Sequence, residues 1–247
     1  MISYVPHFPQ IDETVKGTKF QLDFGGKAAN QCVMAQKLGA NTAMIAKIGS
    51  DQFGKDTVLN FKRLGGIPVK IATEALQYGK KLGSRTLFNP SPELESIPDA
   101  DVLVLNREEG ESLTAISATD FKGAKKVIVN LHQQGTSHVV LTLGSEGAIS
   151  SEMTSEHKTP VMTHIRTSKV DVVDTTGAGD ALIGALAFYM SCYPQLSFAE
   201  MVSRAVNIAT VTVTVHGVQS SYPTRDELDK WLFDIDAKTS EQLGLDC

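Results

Sequence analysis

The apolar positions of this chain alternate between two rhythms. Short apolar runs bounded by turn residues predict strands at Thr42–Ile48, Arg85–Phe88, Val102–Leu105, Ser137–Leu143 and Ala148–Ser151. Val161–Ile165 is predicted to pair with the last of these across the polar loop Ser151–Lys158. Helical spacing marks Ala28–Leu38, closed by Gly39, and Phe53–Leu64, whose stripe is Val58, Leu59, Phe61 and Leu64. Gly65-Gly66-Ile67-Pro68 stops that second helix, and Thr73–Leu82 and Asp120–Gln134 are further helices. Ala181–Met190 is apolar almost all round, which predicts a buried helix interrupted only by Gly184. Met1–Phe20 has no clear period. Thr210–Val215 alternates Thr and Val like a strand, although Phe198–Ala209 before it is helical in pattern. Strands alternating with helices predict an α/β fold, with a mainly parallel sheet covered on both faces. No linker or repeat divides residues 1–247, so one domain is expected.

Composition narrows the function classes. The net charge of −5 leaves no basic footprint for nucleic acid. Three cysteines, odd in number and without metal-ligand spacing, predict free thiols in a reducing compartment, hence a cytoplasmic location with the nucleus as a second compartment. No run approaches the roughly 20 apolar residues of a membrane helix, so no membrane partner is expected. Met1–Gln10 carries two prolines and no charged-then-apolar pattern, which argues against a signal peptide. The six histidines lack metal spacing and are expected to be structural or at the surface.

Candidate chemistry concentrates in Val173-Asp174-Thr175-Thr176-Gly177-Ala178-Gly179-Asp180. Gly177, Ala178 and Gly179 let a ligand approach the backbone, and the helix they open favours an anion at its N-terminus. A carboxylate beside an anion site is unfavourable unless it has a task, and the task available to Asp180 is accepting a proton. The plain alternative is a tight turn with Asp180 as its cap. Upstream, Asp23-Phe24-Gly25-Gly26-Lys27-Ala28-Ala29-Asn30-Gln31 forms a glycine turn carrying donors. Asn106-Arg107-Glu108-Glu109 follows a strand, where open α/β sheets bind ligands, although an acidic, solvated helix start would read the same. Thr142-Leu143-Gly144-Ser145-Glu146-Gly147 is either a nucleotide-crossing turn or a hairpin turn.

The octet and the upstream glycine turn, in this order and far apart, resemble the two signatures of the ribokinase-like sugar kinases. Phe188-Tyr189 and the tail Gln219-Ser220-Ser221-Tyr222-Pro223 extend the likeness. The resemblance implies that ATP phosphorylates the terminal hydroxyl of a sugar, D-ribose above all. Asp180 would be the base, and Gly177, Ala178 and Gly179 the anion hole. It implies sugar binding by Gly25, Gly26, Lys27, Asn30 and Asp180. It assigns ATP to Asn106, to Thr142, Leu143, Gly144, Ser145, Glu146 and Gly147, and to Gly179 and Asn207. Glu109 would serve Mg²⁺, and Asp174, Thr176, Gly217 and Ser221 would serve K⁺; Asp174 as a cap of its own loop is an equal alternative. It also places Phe198–Val215 in a single helix.

The chain departs from the family in two places. It opens at a segment resembling the one just after the family's first strand and its sugar-gripping Asp. Near residues 69–71 it passes directly to a much later helix, so the lid strands and a core block are expected to be missing. A homodimer of the family's kind would be weakened, and the tail after about residue 236 would be peripheral. Adenosine or fructose kinase activity, or a catalytically dead chain that binds nucleotide or a partner, are the alternatives.

Overall fold

The computed structural model describes residues 2–21, 23–45, 51–63, 67–69, 79, 81–90, 100–153 and 159–237. In chain order the elements begin with strands β1 (Ile2–Tyr4) and β2 (Lys19–Gln21), helix α1 (Lys27–Lys37), β3 (Ala43–Ile45), α2 (Gln52–Arg63) and β4 (Ile67–Val69). There follow β5 (Leu87–Phe88), β6 (Val102–Asn106), α3 (Arg107–Thr114), α4 (Phe121–Gln133), β7 (His138–Thr142), β8 (Ala148–Glu152) and β9 (Val161–Ile165). Two long helices, α5 (Ala178–Cys192) and α6 (Phe198–Thr212), precede a tail of short 3₁₀ turns. The expected helix Thr73–Leu82 lies mostly outside the described residues.

Strands β5 to β9 form one sheet in that order. Because side chains alternate across a strand, Val102 and Val104 of β6 face one layer, with Val140 of β7, while Leu103, Leu105, Val139 and Leu141 face the other. The first layer is closed by α1, α5 and α6 and the second by α4, so helices cover both faces. Parallel pairing holds for β5–β6 and β6–β7, but β7–β8 and β8–β9 are antiparallel. The sheet is therefore mixed, where a mainly parallel one was expected. The cause is local: the turn after β7 is too short for a crossover and can join only antiparallel strands. Gly147 in that turn has φ +93°, and a Cβ there would lie 1.9 Å from the Ile165 carbonyl oxygen.

Two strand pairs stand apart. Strands β3 and β4 pair in parallel but, among the described residues, do not bond to the larger sheet. Antiparallel β1 and β2 fall in a segment with no readable period, and their three-residue ladder is too short to show one. The stripe expected on α2 is only partly buried: Phe61 is inside, whereas Leu59 is 51% exposed.

Helix α6 ends at Thr212, so the Thr/Val alternation does not make a strand. Thr210 Oγ1 donates to the Val206 carbonyl and Thr212 Oγ1 to that of Ala209, which lets these hydroxyls be buried inside a helix. Fully buried Arg204 donates to the carbonyls of Leu232 and Ala237 and to Glu200. Tyr189 Oη shares the Leu232 carbonyl. The chain up to Ala237 is thus tied to the core, and residues beyond it lie outside the described set.

Candidate active site

The cleft lies between the first turns of α5, the ends of β6 and β7 and the start of α3. Lys27 of α1 also lines it, and α5 packs directly on α1. A Cβ on Gly184 would lie 2.4 Å from the Gln31 carbonyl oxygen and 2.7 Å from Met34 Cβ, so glycine is what lets the helices approach this closely. That contact sets the N-termini of both helices side by side. Gly177 caps α5 at φ +83°, and a Cβ there would meet Val218 Cγ1 at 2.7 Å and Tyr222 Oη at 2.8 Å. Tyr222 Oη donates to the Gly177 carbonyl at 2.9 Å, which pins the turn from behind. Ala178 N–H points back to the Thr175 carbonyl at 3.2 Å. Gly179 is exposed, and a Cβ on it would meet nothing within 4 Å.

Asp180 is only 8% exposed. Asn30 Nδ2 donates to its Oδ2 at 2.8 Å and Gln31 Nε2 to its Oδ1 at 3.2 Å. Burial pushes its carboxyl above the ordinary range, while Asn30, Gln31 and the nearby Lys27 charge pull the other way. The carboxylate is held on one side by amides and opens on the other into a cleft of about 220 Å³. Lys27, Asn106, Glu109, Thr142 and Gly179 share that cleft with it. Asn89, just after β5, also lines it and donates to the Val104 carbonyl at 2.9 Å.

Glu109 is buried, so α3 does not begin as a solvated acidic turn. Asn106 Oδ1 accepts from Glu109 N–H at 2.8 Å, and Glu109 Oε2 accepts from Asn106 N–H at 2.9 Å, a reciprocal cap. Glu109 Oε1 lies 3.5 Å from Lys27 Nζ, bridging the glycine turn and the edge of β6. Gly26, at φ +101°, caps α1; Gly25 and Gly26 are exposed beside this ion pair but do not line the cleft.

Other predicted residues lie away from the cleft. Thr142 reaches it, but the turn after Thr142 is a hairpin. The Leu143 side chain is buried in the layer under α4, Glu146 pairs with Arg107 at 2.7 Å, and the Ser145 carbonyl accepts from Thr167. Gly144 and Gly147 shape this hairpin through positive φ. Asn207 donates to the Ser203 carbonyl one turn back on α6 and does not line the cleft.

Asp174 caps its own loop. Its oxygens accept N–H groups from Thr176 at 2.9 Å and Gly217 at 3.1 Å. Burial pushes its carboxyl up, but these bonds and nearby His216 outweigh that, leaving it below the ordinary range. Ser221 Oγ donates to the Val218 carbonyl. Sequence reasoning missed Asp23, Gln31, Gln219 and Tyr222 as supports. Their signal was position alone, since each adjoins or lies within a quoted motif.

Comparison with known proteins settles the kinship. The description "pfkB family carbohydrate kinase" matches residues 1–65 and 63–225. The chain belongs to the pfkB family of carbohydrate kinases. Ribokinase of Mus musculus is 32% identical over 299 positions, covering 94% of this chain and 91% of that protein. Deoxyribokinase of Salmonella typhi is 27% identical, covering 94% and 95%. Among solved structures, Thermotoga maritima ribokinase superposes with a TM-score of 0.75 at 24% identity, over 91% of this chain and 93% of that one. Arabidopsis thaliana ribokinase complexed with ribose and ATP gives 0.71 at 22%, over 91% and 92%. This pfkB chain is a kinase of the ribokinase type, a phosphotransferase acting on a sugar hydroxyl. The mouse alignment is longer than the chain's 247 residues, so a block of that relative has no counterpart here. The two matched family segments meet at residues 63–65.

Proposed function

We propose that the sugar is D-ribose, phosphorylated at its terminal hydroxyl, and that Asp180 is the base. Asp180 carries this reading: it is buried at the start of α5, held by two amides, with its carboxyl raised toward a proton-accepting range. The sugar hydroxyl passes its proton to Asp180 as its oxygen attacks the γ-phosphorus of ATP in line. The bond from that phosphorus to the β-phosphate oxygen breaks, releasing ADP. The amides at the start of α5 receive the charge that develops on the phosphoryl oxygens. Lys27 and Asn30 orient the sugar. When substrate enters, Lys27 exchanges its contact with Glu109 for the incoming polar groups.

The donor sets fit the two cations. Mg²⁺ takes one or two carboxylates and fills its shell with water and phosphate, which suits the single buried Glu109. Asp174 draws Thr176 and Gly217 together through its own bonds, and these three with Ser221 would hold K⁺. When bound, these ions supply positive charge at the phosphates and beside the anion hole.

Likeness to the mouse ribokinase supports ribose, while the deoxyribokinase relative favours 2-deoxyribose as a second reading. The test compares ribose, 2-deoxyribose, fructose and adenosine by ADP release at equal ATP. Ribose is expected to give the highest kcat/KM. Preference for 2-deoxyribose would overturn the ribose assignment, and sugar-independent ADP release would overturn the whole reading.

A further inference from the structure

A carboxylate can only accept hydrogen bonds, and at Asp180 that fact propagates. Asn30 must turn its NH₂ toward Asp180, so its Oδ1 faces away, and there Gln219 Nε2 donates to it at 3.0 Å. Gln219 then faces its own Oε1 outward, and Asn60 Nδ2 donates to that oxygen at 3.0 Å. Three amides therefore point the same way, from Asn60 on α2 through Gln219 to Asn30 on α1. Asn30 and Gln219 are 5% and 6% exposed, so a reversed amide would bury unmatched groups. The backbone around Gln219 is also fixed. Lys37 Nζ donates to the carbonyls of Gln219 and Tyr222, and Asp23 Oδ2 accepts from Val218 N–H and Ser220 Oγ.

We infer that Gln219, with Asn60 behind it, is a positioning residue that fixes which end of the Asn30 amide faces Asp180. Among the described residues, Gln219 is the side chain that donates to Asn30 Oδ1. A reversed Asn30 would set its oxygen against the carboxylate, withdrawing a hydrogen bond and adding repulsion. The charged and titratable groups around Asp180 are Lys27 on α1, Glu109 across the cleft on α3, and Tyr222 in the segment after α6. Lys37 and Asp23 stand behind them. The catalytic consequence rests on Asp180 being the base; the orientation itself does not.

Asn60→Asp reverses the relay from its far end, because an aspartate accepts from Gln219 and so turns that amide round. The Asp180 carboxyl is followed by ¹³C NMR in aspartate-labelled protein, its signal identified by its loss in Asp180→Asn. The titration midpoint is expected to rise by about one pH unit in Asn60→Asp, tenfold in ionisation constant. The same substitution placed on Gln219→Leu keeps the new charge but lacks the relay, and it should move the midpoint only slightly. Gln219→Met serves as the background if Gln219→Leu does not fold. The acid limb of kcat/KM should follow the midpoint, with KM for ATP unchanged. An unmoved midpoint in Asn60→Asp, or an equal shift in both backgrounds, overturns the relay. A shifted midpoint with an unchanged pH–rate profile upholds the relay and removes Asp180 from proton transfer.

Discussion

At the scale of single residues, burial does opposite things to two ionisable groups. Asp180 loses solvation and its carboxyl rises, the direction that the proposed role of base calls for. Asp180→Asn keeps the shape and removes the base, so kcat should fall by about 10²–10⁴-fold. Nucleotide affinity should change little, and near-parental turnover would remove Asp180 from the mechanism. His132 is also buried, and loss of solvation holds its ring below the ordinary range, ahead of opposing and reinforcing contributions from Thr136 and His138. Its neutral ring donates from one nitrogen to the Thr136 carbonyl and accepts from Ser151 Oγ at the other. The unfolded chain therefore binds the proton more readily than the folded one. Stability should be full above the ordinary histidine value of about 6.5 and decline as pH falls through it. Melting curves between pH 7.5 and 5 should show a shallower decline for His132→Gln than for the parent; equal slopes would count against this account.

At the scale of elements, the packing of α1 on α5 decides where Asp180 sits. Gly184→Ala sets two effects against each other. Helix propensity favours alanine by about 1 kcal/mol. Against it, the added Cβ would lie 2.4 Å from the Gln31 carbonyl oxygen, a backbone atom that cannot swing aside. Overpacking of this kind costs about 1–3 kcal/mol, so the clash wins. Forcing the helices apart also lengthens the Asn30–Asp180 bond. We expect a Tm lower by several degrees together with a reduced kcat; a raised Tm would show that propensity dominates.

At the scale of the molecule, the strands fall into separate groups. The pair β3–β4 and the sheet β5–β9 share no ladder among the described residues. The family match breaks at residues 63–65, just before β4. An α/β sheet missing interior strands loses paired backbone groups, each worth about 1–3 kcal/mol when left buried without a partner. Whole domains are stable by only about 5–15 kcal/mol, so a few such losses matter. The 247-residue chain is therefore expected to melt early and to phosphorylate ribose at least ~10²-fold more slowly than the mouse relative, because reacting groups are held less well. A cooperative melt with turnover matching that relative would show the absent block to be dispensable.

Much of this was legible in residue order alone, because it depends on local chemistry. Apolar period placed β6 to β9 and α4 to α6 to within a few residues, and Asp120 and Ser197 cap their helices as such residues do. The glycines of the octet were read as a turn that a ligand approaches; at Gly177 the missing Cβ makes room for Val218 and Tyr222 of the chain itself. Other features required the folded chain. Whether Thr210–Val215 was strand or helix depended on burial against α5, which no period encodes. The direction of β8 was set by the short turn after Thr142. The support of Asp180 joins residues 30, 31, 60 and 219, brought together only when α1, α2, α5 and the segment after α6 pack. Sequence names groups able to bind or react; their partners, exposure and proton affinity are properties of packing, because solvation and hydrogen bonding act through space and not along the chain.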